Sequence, residues 1–237
     1  MFINSLKRVK KYCKDNNIGY IKFTILIINS KISNMKEKLR NKLRFYIIDK
    51  KNRDRLTNKD ATIISINCNG GTISHDLGMP FNSPFVNLWL YPDDFLKYCE
   101  NMDYYNSLPL VFVKEEGINY PIGKLDDIKI YFMHYLSEED AREKWETRKK
   151  RINKDNLFFM MTDQEGCSSE TMKRFDNLPY KNKVIFTHIP MNDIKSSFYI
   201  KGFEKESSVG ILNKWTSSKS INKHYDQFDY VKWLNGE

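Results

Sequence analysis

Apolar residues along this chain fall into short runs separated by polar, turn-forming clusters, and the runs alternate between strand-like and helix-like spacing. Ala61 to Ile66 is rich in Ile and Thr and fits a buried strand, which Asn67-Cys68-Asn69-Gly70-Gly71 ends. Phe85 to Tyr91 reads as a second buried strand. Pro92 and Asp93 then open a helix with Phe95, Cys99, Met102 and Tyr105 on one face. Leu110 to Val113 predicts a third strand. Asp126 to Met133 predicts a fourth, with Ile128, Ile130 and Phe132 alternating toward one side. Ser137 and Asp140 resemble a capping box, with Asp in place of Glu, at the head of a mostly solvated helix to about Ile152. Only Ala141, Trp145 and Ile152 in it suit a core. Leu157 to Met161, Lys183 to His188 and Ser197 to Ile200 read as three more strands. Ser169 is expected to cap a helix to about Phe175, and Tyr225 to Leu234 to close the chain as a helix. Strands alternating with helices predict an α/β layered fold, Rossmann-like, with a largely parallel sheet flanked by helices.

The first 60 residues have a different texture. Met1 to Asn17 is polar and basic, and Tyr20 to Ile28 is apolar. Between Met35 and Lys59, Met35, Leu39, Leu43 and Ile47 recur every four residues, lining one side of a helix whose other positions are filled by Lys and Arg. Residues 1–60 hold 17 Lys and Arg against 5 Asp and Glu, whereas the other 177 hold 22 against 25. All the net charge of +9 therefore belongs to the leader. The expected division is a basic, partly amphipathic helical leader over 1–55 and a single α/β domain over 56–237. The chain's 15 Phe, 14 Tyr and 4 Trp are enough to fill a core of ordinary size.

A leader of this charge suits an anionic membrane surface or nucleic acid. The second lacks a recognition motif and would have an acidic body beside it, so no nucleic-acid partner is expected. Residues 1–60 are expected to meet an anionic membrane surface, with a helix packed on the body as the alternative. Tyr20 to Ile28 carries Lys22 and falls short of the ~20 residues of a spanning helix. Cys13, Cys68, Cys99 and Cys167 form no C-x-x-C pair, which fits a reducing compartment. The expected location is cytoplasmic, peripheral at the inner face of the cell membrane.

Ligands of parallel α/β sheets bind beyond the carboxyl ends of the strands, so the strand-end turns supply the candidate chemistry. Asn67, Gly70 and Gly71 are candidates for a phosphate or nucleotide-sugar cradle, because paired glycines let backbone N–H groups approach a phosphate. A tight turn needing φ > 0 explains the glycines equally, and neither a P-loop nor G-x-G-x-x-G is present. Asp163 and Glu165 lie two apart on a strand-end loop and are candidate ligands of a divalent cation holding a diphosphate. A solvated acidic turn is the alternative. His134 and His188, at or just past strand ends, are candidate general bases, and Asp163 joins them as a candidate catalytic carboxylate. Arg148 and Lys201 are candidate phosphate ligands, although charges on an exposed helix usually form a solvated face. Cys68 and Cys167 flank the same loops without a base beside them, which favours packed thiols over nucleophiles.

Several stretches, in one order, resemble an uncharacterised family of bacterial proteins associated with exopolysaccharide and capsule biosynthesis. They include Ile66-Asn67-Cys68-Asn69-Gly70-Gly71, Leu77-Gly78-Met79-Pro80, Ser83-Pro84-Phe85-Val86, Tyr120-Pro121-Ile122-Gly123 and His134-Tyr135. Lys144-Trp145 with Arg148 and Arg151, Asp155-Asn156-Leu157-Phe158, Asp163 with Gly166-Cys167, and Leu178-Pro179-Tyr180-Lys181-Asn182-Lys183 continue the series. The resemblance covers roughly residues 56 to 215. Asn69 stands where the family has an aromatic, and Gln164 and Glu165 stand where it tends to have a basic residue and a second Asp. The resemblance implies a pathway and no mechanism. The expected function is a transferase, glycosyl transfer first, acting on a nucleotide-sugar or lipid-linked glycan at the inner membrane face. A non-catalytic assembly factor binding glycan or pathway proteins is the alternative.

Overall fold

A computed structural model describes Lys14 and residues 20–237. Apart from Lys14, the basic opening Met1 to Asn17 lies outside the described residues. The chain divides into two compact units, Met1–Ile47 and Ile48–Glu237. The first contains helix α1, Tyr20–Arg44, whose second half is rich in Lys, Leu, Met, Glu and Arg, which are strong helix formers. A π-helical turn, Phe45–Asp49, precedes α2, Lys50–Arg55.

Helix α2, expected to end the leader, is built into the second unit. Asn52 Nδ2 donates to the Tyr230 hydroxyl at 2.8 Å, Arg53 Nε donates to the Asp76 carbonyl at 2.8 Å, and Arg55 pairs with Asp229 at 2.5 Å.

In that unit β1 (Thr62–Ser65), β5 (Leu157–Thr162), β6 (Lys183–Thr187) and β7 (Ser197–Tyr199) form an all-parallel sheet in the order β1-β5-β6-β7. Both faces of this sheet are covered, as a parallel sheet requires. Successive side chains of a strand point to opposite faces. Ile64, Phe159, Met161 and Ile185 enter a core with α4 (Pro92–Glu100), α6 (Glu138–Lys149) and α7 (Ser169–Asp176). Ile63, Phe158, Met160, Val184 and Phe186 enter a second core with α3 (Asn69–Leu77) and α8 (Tyr230–Leu234). A single short helix, α5 (Met102–Ser107), follows α4, and a 3-10 turn, His224–Gln227, precedes α8.

The remaining strands β2 (Val111–Val113), β3 (Ile122–Leu125) and β4 (Ile128–Tyr131) form a separate antiparallel sheet in that order. Leu110 to Val113 and Asp126 to Met133 therefore do not extend the parallel sheet, and the fold is mixed α/β with two sheets. The reason lies in β3. It gives β4 a partner through a two-residue hairpin, Asp126-Asp127, in which Asp126 takes φ 52°.

Phe85 to Tyr91 is buried for the most part but is not a strand, because Asn87 takes φ 61° and breaks the extended run. Its end instead joins the two sheets. Trp89 exchanges backbone hydrogen bonds with Tyr131 of β4, and Leu90 N–H donates to the Ile66 carbonyl at 3.0 Å, just beyond β1. The expected Ser137 cap is present, its hydroxyl accepting from Asp140 N–H at 3.2 Å. Ala141 and Trp145 are the buried residues of α6, and the helix stops at Lys149.

Candidate functional site

Strands β1 and β5 are parallel neighbours, so the turns that follow them emerge at the same rim. Asn67 Nδ2 donates across this rim to Gln164 Oε1 at 3.1 Å and to Thr162 Oγ1 at 3.4 Å. Gln164 Nε2 in turn donates to the Val209 and Gly210 carbonyls at 2.9 and 3.3 Å, which holds its amide fixed. Glu165 and Gly166 both take positive φ, 54° and 73°, so the turn after β5 carries a left-handed non-glycine residue. Such conformations collect at binding sites, where surrounding structure over-determines them.

Between these turns and the junction segment lies a pocket of about 200 Å³. Asn67, Thr162, Gln164 and Glu165 supply its polar wall, and Ile66, Trp89, Leu90 and Met133 its apolar wall. The Trp89 indole is half-buried and stacks on Tyr131 at 4.2 Å and 14°. No Lys, Arg or His is among the lining residues; the only formal charge is Glu165. This lining suits an uncharged ligand with both an apolar face and hydroxyls, and it repels a diphosphate.

Beside the pocket, Asp163 and His188 form a tight pair. Asp163 is buried and its Oδ2 accepts from His188 Nδ1 at 2.6 Å and from His188 N–H at 2.8 Å, while Oδ1 accepts from Val209 N–H at 2.8 Å. A carboxylate only accepts, so Nδ1 carries a proton, and in the neutral imidazole the lone pair is then on Nε2. Asp163 is thus the positioning residue, and His188, a fifth exposed, is the group able to take a proton. The pair arises because β6 lies next to β5, with Asp163 N–H donating to the Phe186 carbonyl at 3.1 Å.

No hydrogen bond joins the other sequence candidates to the Asp163–His188 pair among the described residues. Gly70 and Gly71 are not a turn; they lie in the first turn of α3 with ordinary helical φ. A Cβ at Gly70 would stand 2.7 Å from Ser65 Cβ and 2.8 Å from Ile63 Cγ2, so the glycine is there to let α3 approach β1. The Gly70 N–H donates to Ser65 Oγ at 3.2 Å and the Asn69 N–H to Asn67 Oδ1 at 3.1 Å, so these amides are committed within the protein. The expected phosphate cradle is a packing contact.

Asp163 and Glu165 likewise do not fit the cation expected of them. Both Asp163 oxygens are taken by three N–H donors, and no group of three His, Cys, Asp or Glu residues with metal-ligand placement exists among the described residues. Arg148 Nη1 donates to the Tyr135 hydroxyl at 2.7 Å and its guanidinium lies over Phe81, while Tyr135 donates to the Val86 carbonyl at 2.6 Å. That arrangement anchors α6. Lys201 is exposed at the end of β7, two strands and about 10 Å from β5, with its backbone bridged by the Gln227 amide. His134 is exposed, one residue beyond Met133 in the pocket wall.

Neither rim cysteine is poised as a nucleophile. Burial raises the Cys68 thiol. Burial, with Asp163 and Asp93 nearby, pushes Cys167 up to about 12. Thr162, Trp89 and Met133 line the pocket and the Val209 amide holds Asp163, positions that linear spacing does not single out. Trp89 had one visible signal, an indole set between Leu88 and Leu90 in an apolar run.

Together these features define an α/β protein with an indole-walled polar pocket and a His–carboxylate pair on the carboxyl rim of its parallel strands. The chain belongs to the family described as a domain of unknown function, DUF1919, whose model matches residues 39–235. An uncharacterized protein of Haemophilus influenzae is 53% identical over 195 residues, covering 82% of this chain and 94% of that protein. The family match contains both rim turns, Trp89 and His188.

Proposed function

We propose that this protein is a transferase of capsule or exopolysaccharide assembly that modifies a hydroxyl of a glycan acceptor, by glycosyl transfer or by transfer of a sugar substituent. The observation that carries the reading is the Asp163–His188 pair at 2.6 Å, one residue from the Thr162 and Gln164 that line the pocket. A sugar ring offers an apolar C–H face to the Trp89 indole and hydroxyls to Asn67, Gln164 and Glu165.

In this reading the acceptor sugar sits in the pocket with one hydroxyl at His188 Nε2. Nε2 takes that proton as the oxygen attacks the electrophilic carbon of an activated donor; a new C–O bond forms and the bond to the donor's leaving group breaks. Asp163 holds the Nδ1 tautomer and stabilises the imidazolium that results. The resemblance to polysaccharide-assembly proteins supports the pathway, and a lipid-linked acceptor would place the reaction at the cytoplasmic face of the membrane. One observation favours a second reading, a non-catalytic glycan-binding factor: the pocket wall itself includes neither Asp163 nor His188.

Deleting the protein in its host and analysing the surface polysaccharide by mass spectrometry tests the pathway. A missing sugar or substituent, restored by the wild type and not by His188→Asn, is the expected result. Restoration by His188→Asn would favour the binding factor, and an unchanged glycan in the deletion would remove both readings.

A further inference from the structure

Helix α1 carries a face that the enzyme reading does not use. Ile25, Ile28, Ile32, Met35, Leu39 and Leu43 are all exposed, between 42% and 70%. At 3.6 residues per turn their positions fall within an arc of about 80°. The spacing extends the Met35-Leu39-Leu43 series of the sequence back through Ile25, giving an apolar stripe over 19 of the 25 residues of the helix. Lys36 flanks one edge of the stripe, and Lys31 and Lys42 the other, all three exposed. Ser30, Asn34 and Asn41 project from the far side, and Glu37 also lies away from the stripe.

We propose that this stripe is a docking face for an anionic lipid bilayer, on which α1 lies in the plane of the interface. A second copy of the chain is the competing occupant, because apolar residues three and four apart also make a coiled-coil seam. Pairing two such stripes brings Lys31, Lys36 and Lys42 against the same lysines, with no carboxylate on either flank to answer them. Anionic headgroups answer them on both edges at once. Lysine stems reach past the apolar stripe so that the ammonium groups rest among the headgroups while the Ile, Met and Leu side chains enter the acyl boundary. No helix among the described residues is long and apolar enough to cross a membrane, so attachment through this face is peripheral.

The test is flotation of the full chain with vesicles of phosphatidylglycerol and phosphatidylcholine, and with phosphatidylcholine alone. The chain should partition onto the anionic vesicles, and at least about tenfold more weakly onto the neutral ones. Leu39→Asp should lower binding to the anionic vesicles by about tenfold or more, the factor expected for losing one well-buried leucine. Met35→Ser is the milder companion, and Asn34→Asp on the far side should bind like the wild type. Far-UV circular dichroism checks that α1 is retained in each. Binding by Leu39→Asp equal to wild type would overturn the proposal, as would a wild type that ignores anionic vesicles. A dimer in the ultracentrifuge that Leu39→Asp converts to monomer, with vesicle binding unchanged, would give the stripe to a second copy instead.

Discussion

Asp163→Ala is the perturbation that bears most directly on how the rim is held together. The carboxylate accepts three hydrogen bonds, from His188 N–H, His188 Nδ1 and Val209 N–H, at 2.8, 2.6 and 2.8 Å. It thereby ties the ends of β5 and β6 to the 209–210 loop. Alanine leaves all three donors without an acceptor. The Val209 residue is 1% exposed, so water does not replace the lost oxygen there, while the partly exposed His188 ring recovers some hydration. An unmet buried donor costs roughly 1–3 kcal/mol, which for the two backbone amides sums to about 4 kcal/mol. With a urea slope of about 2 kcal/mol per molar, the unfolding midpoint should fall by about 2 M. Asp163→Asn keeps one accepting oxygen and should lose about half as much. Urea denaturation followed by circular dichroism reads both. An Asp163→Ala protein within ~1 kcal/mol of wild type would refute the claim that this carboxylate organises the rim.

Three further outcomes follow from the same structure. Gly70→Ala places a methyl group 2.7 Å from Ser65 Cβ and should destabilise by roughly 1–3 kcal/mol in the same assay; a neutral effect would mean that α3 is not seated on β1 as described. Cys167, its thiol held at about 12, should resist iodoacetamide at pH 8 and react progressively as the pH approaches 12, read by peptide mapping; labelling at pH 8 at the rate of a free peptide thiol would contradict its placement. Asp229 sits below the ordinary carboxylate value of 3.8, burial being outweighed by Arg55 and by the Lys232 and Val231 amides. Its stabilisation is therefore full above the unfolded value and lost as the pH falls through the folded one. Asp229→Asn should cost under ~1 kcal/mol at pH 7, given how exposed the pair is, and a still smaller amount at pH 2; a cost that grows in acid would contradict the assignment.

The parallel strands were legible because each is a short apolar run bounded by turn residues, as Ala61 to Ile66 and Leu157 to Met161 are. Strand β3 escaped because Gly123 and Lys124 interrupt its apolar residues. The glycine makes sense only in three dimensions, where a Cβ would come within 2.6 Å of Leu110 and 2.8 Å of Phe132. Phe85 to Tyr91 misled in the other direction: its composition is that of a buried strand, and burial is what it has, but the left-handed Asn87 is invisible to periodicity.

The two glycines after β1 show how one residue type serves opposite geometries. Gly-Gly at a strand end signals a close backbone approach, and the partners in that approach are β1 for Gly70 and Val86 for Gly71. The shared rim was foreseeable from the parallel topology alone. The pairing of Asp163 with His188 was not, because it depends on β6 lying beside β5, a choice that strand order makes and linear spacing does not reveal. Trp89 enters the pocket for a similar reason: its segment bridges β1 and β4, two strands separated by the 63 positions from Ser65 at the end of one to Ile128 at the start of the other.

On the proposed function, the hollow bounded by Asn67, Trp89 and Gln164 receives a sugar next to His188. Titrating the isotopically labelled protein with oligosaccharide from the host's own surface glycan, and mapping the amide and indole resonances that move, examines it most directly. Shifts should concentrate at Asn67, Trp89, Gln164, Glu165 and His188, with affinity weakened by about tenfold or more in Trp89→Ala. Saturable shifts centred elsewhere on the molecule, or binding that Trp89→Ala leaves untouched, would contradict it.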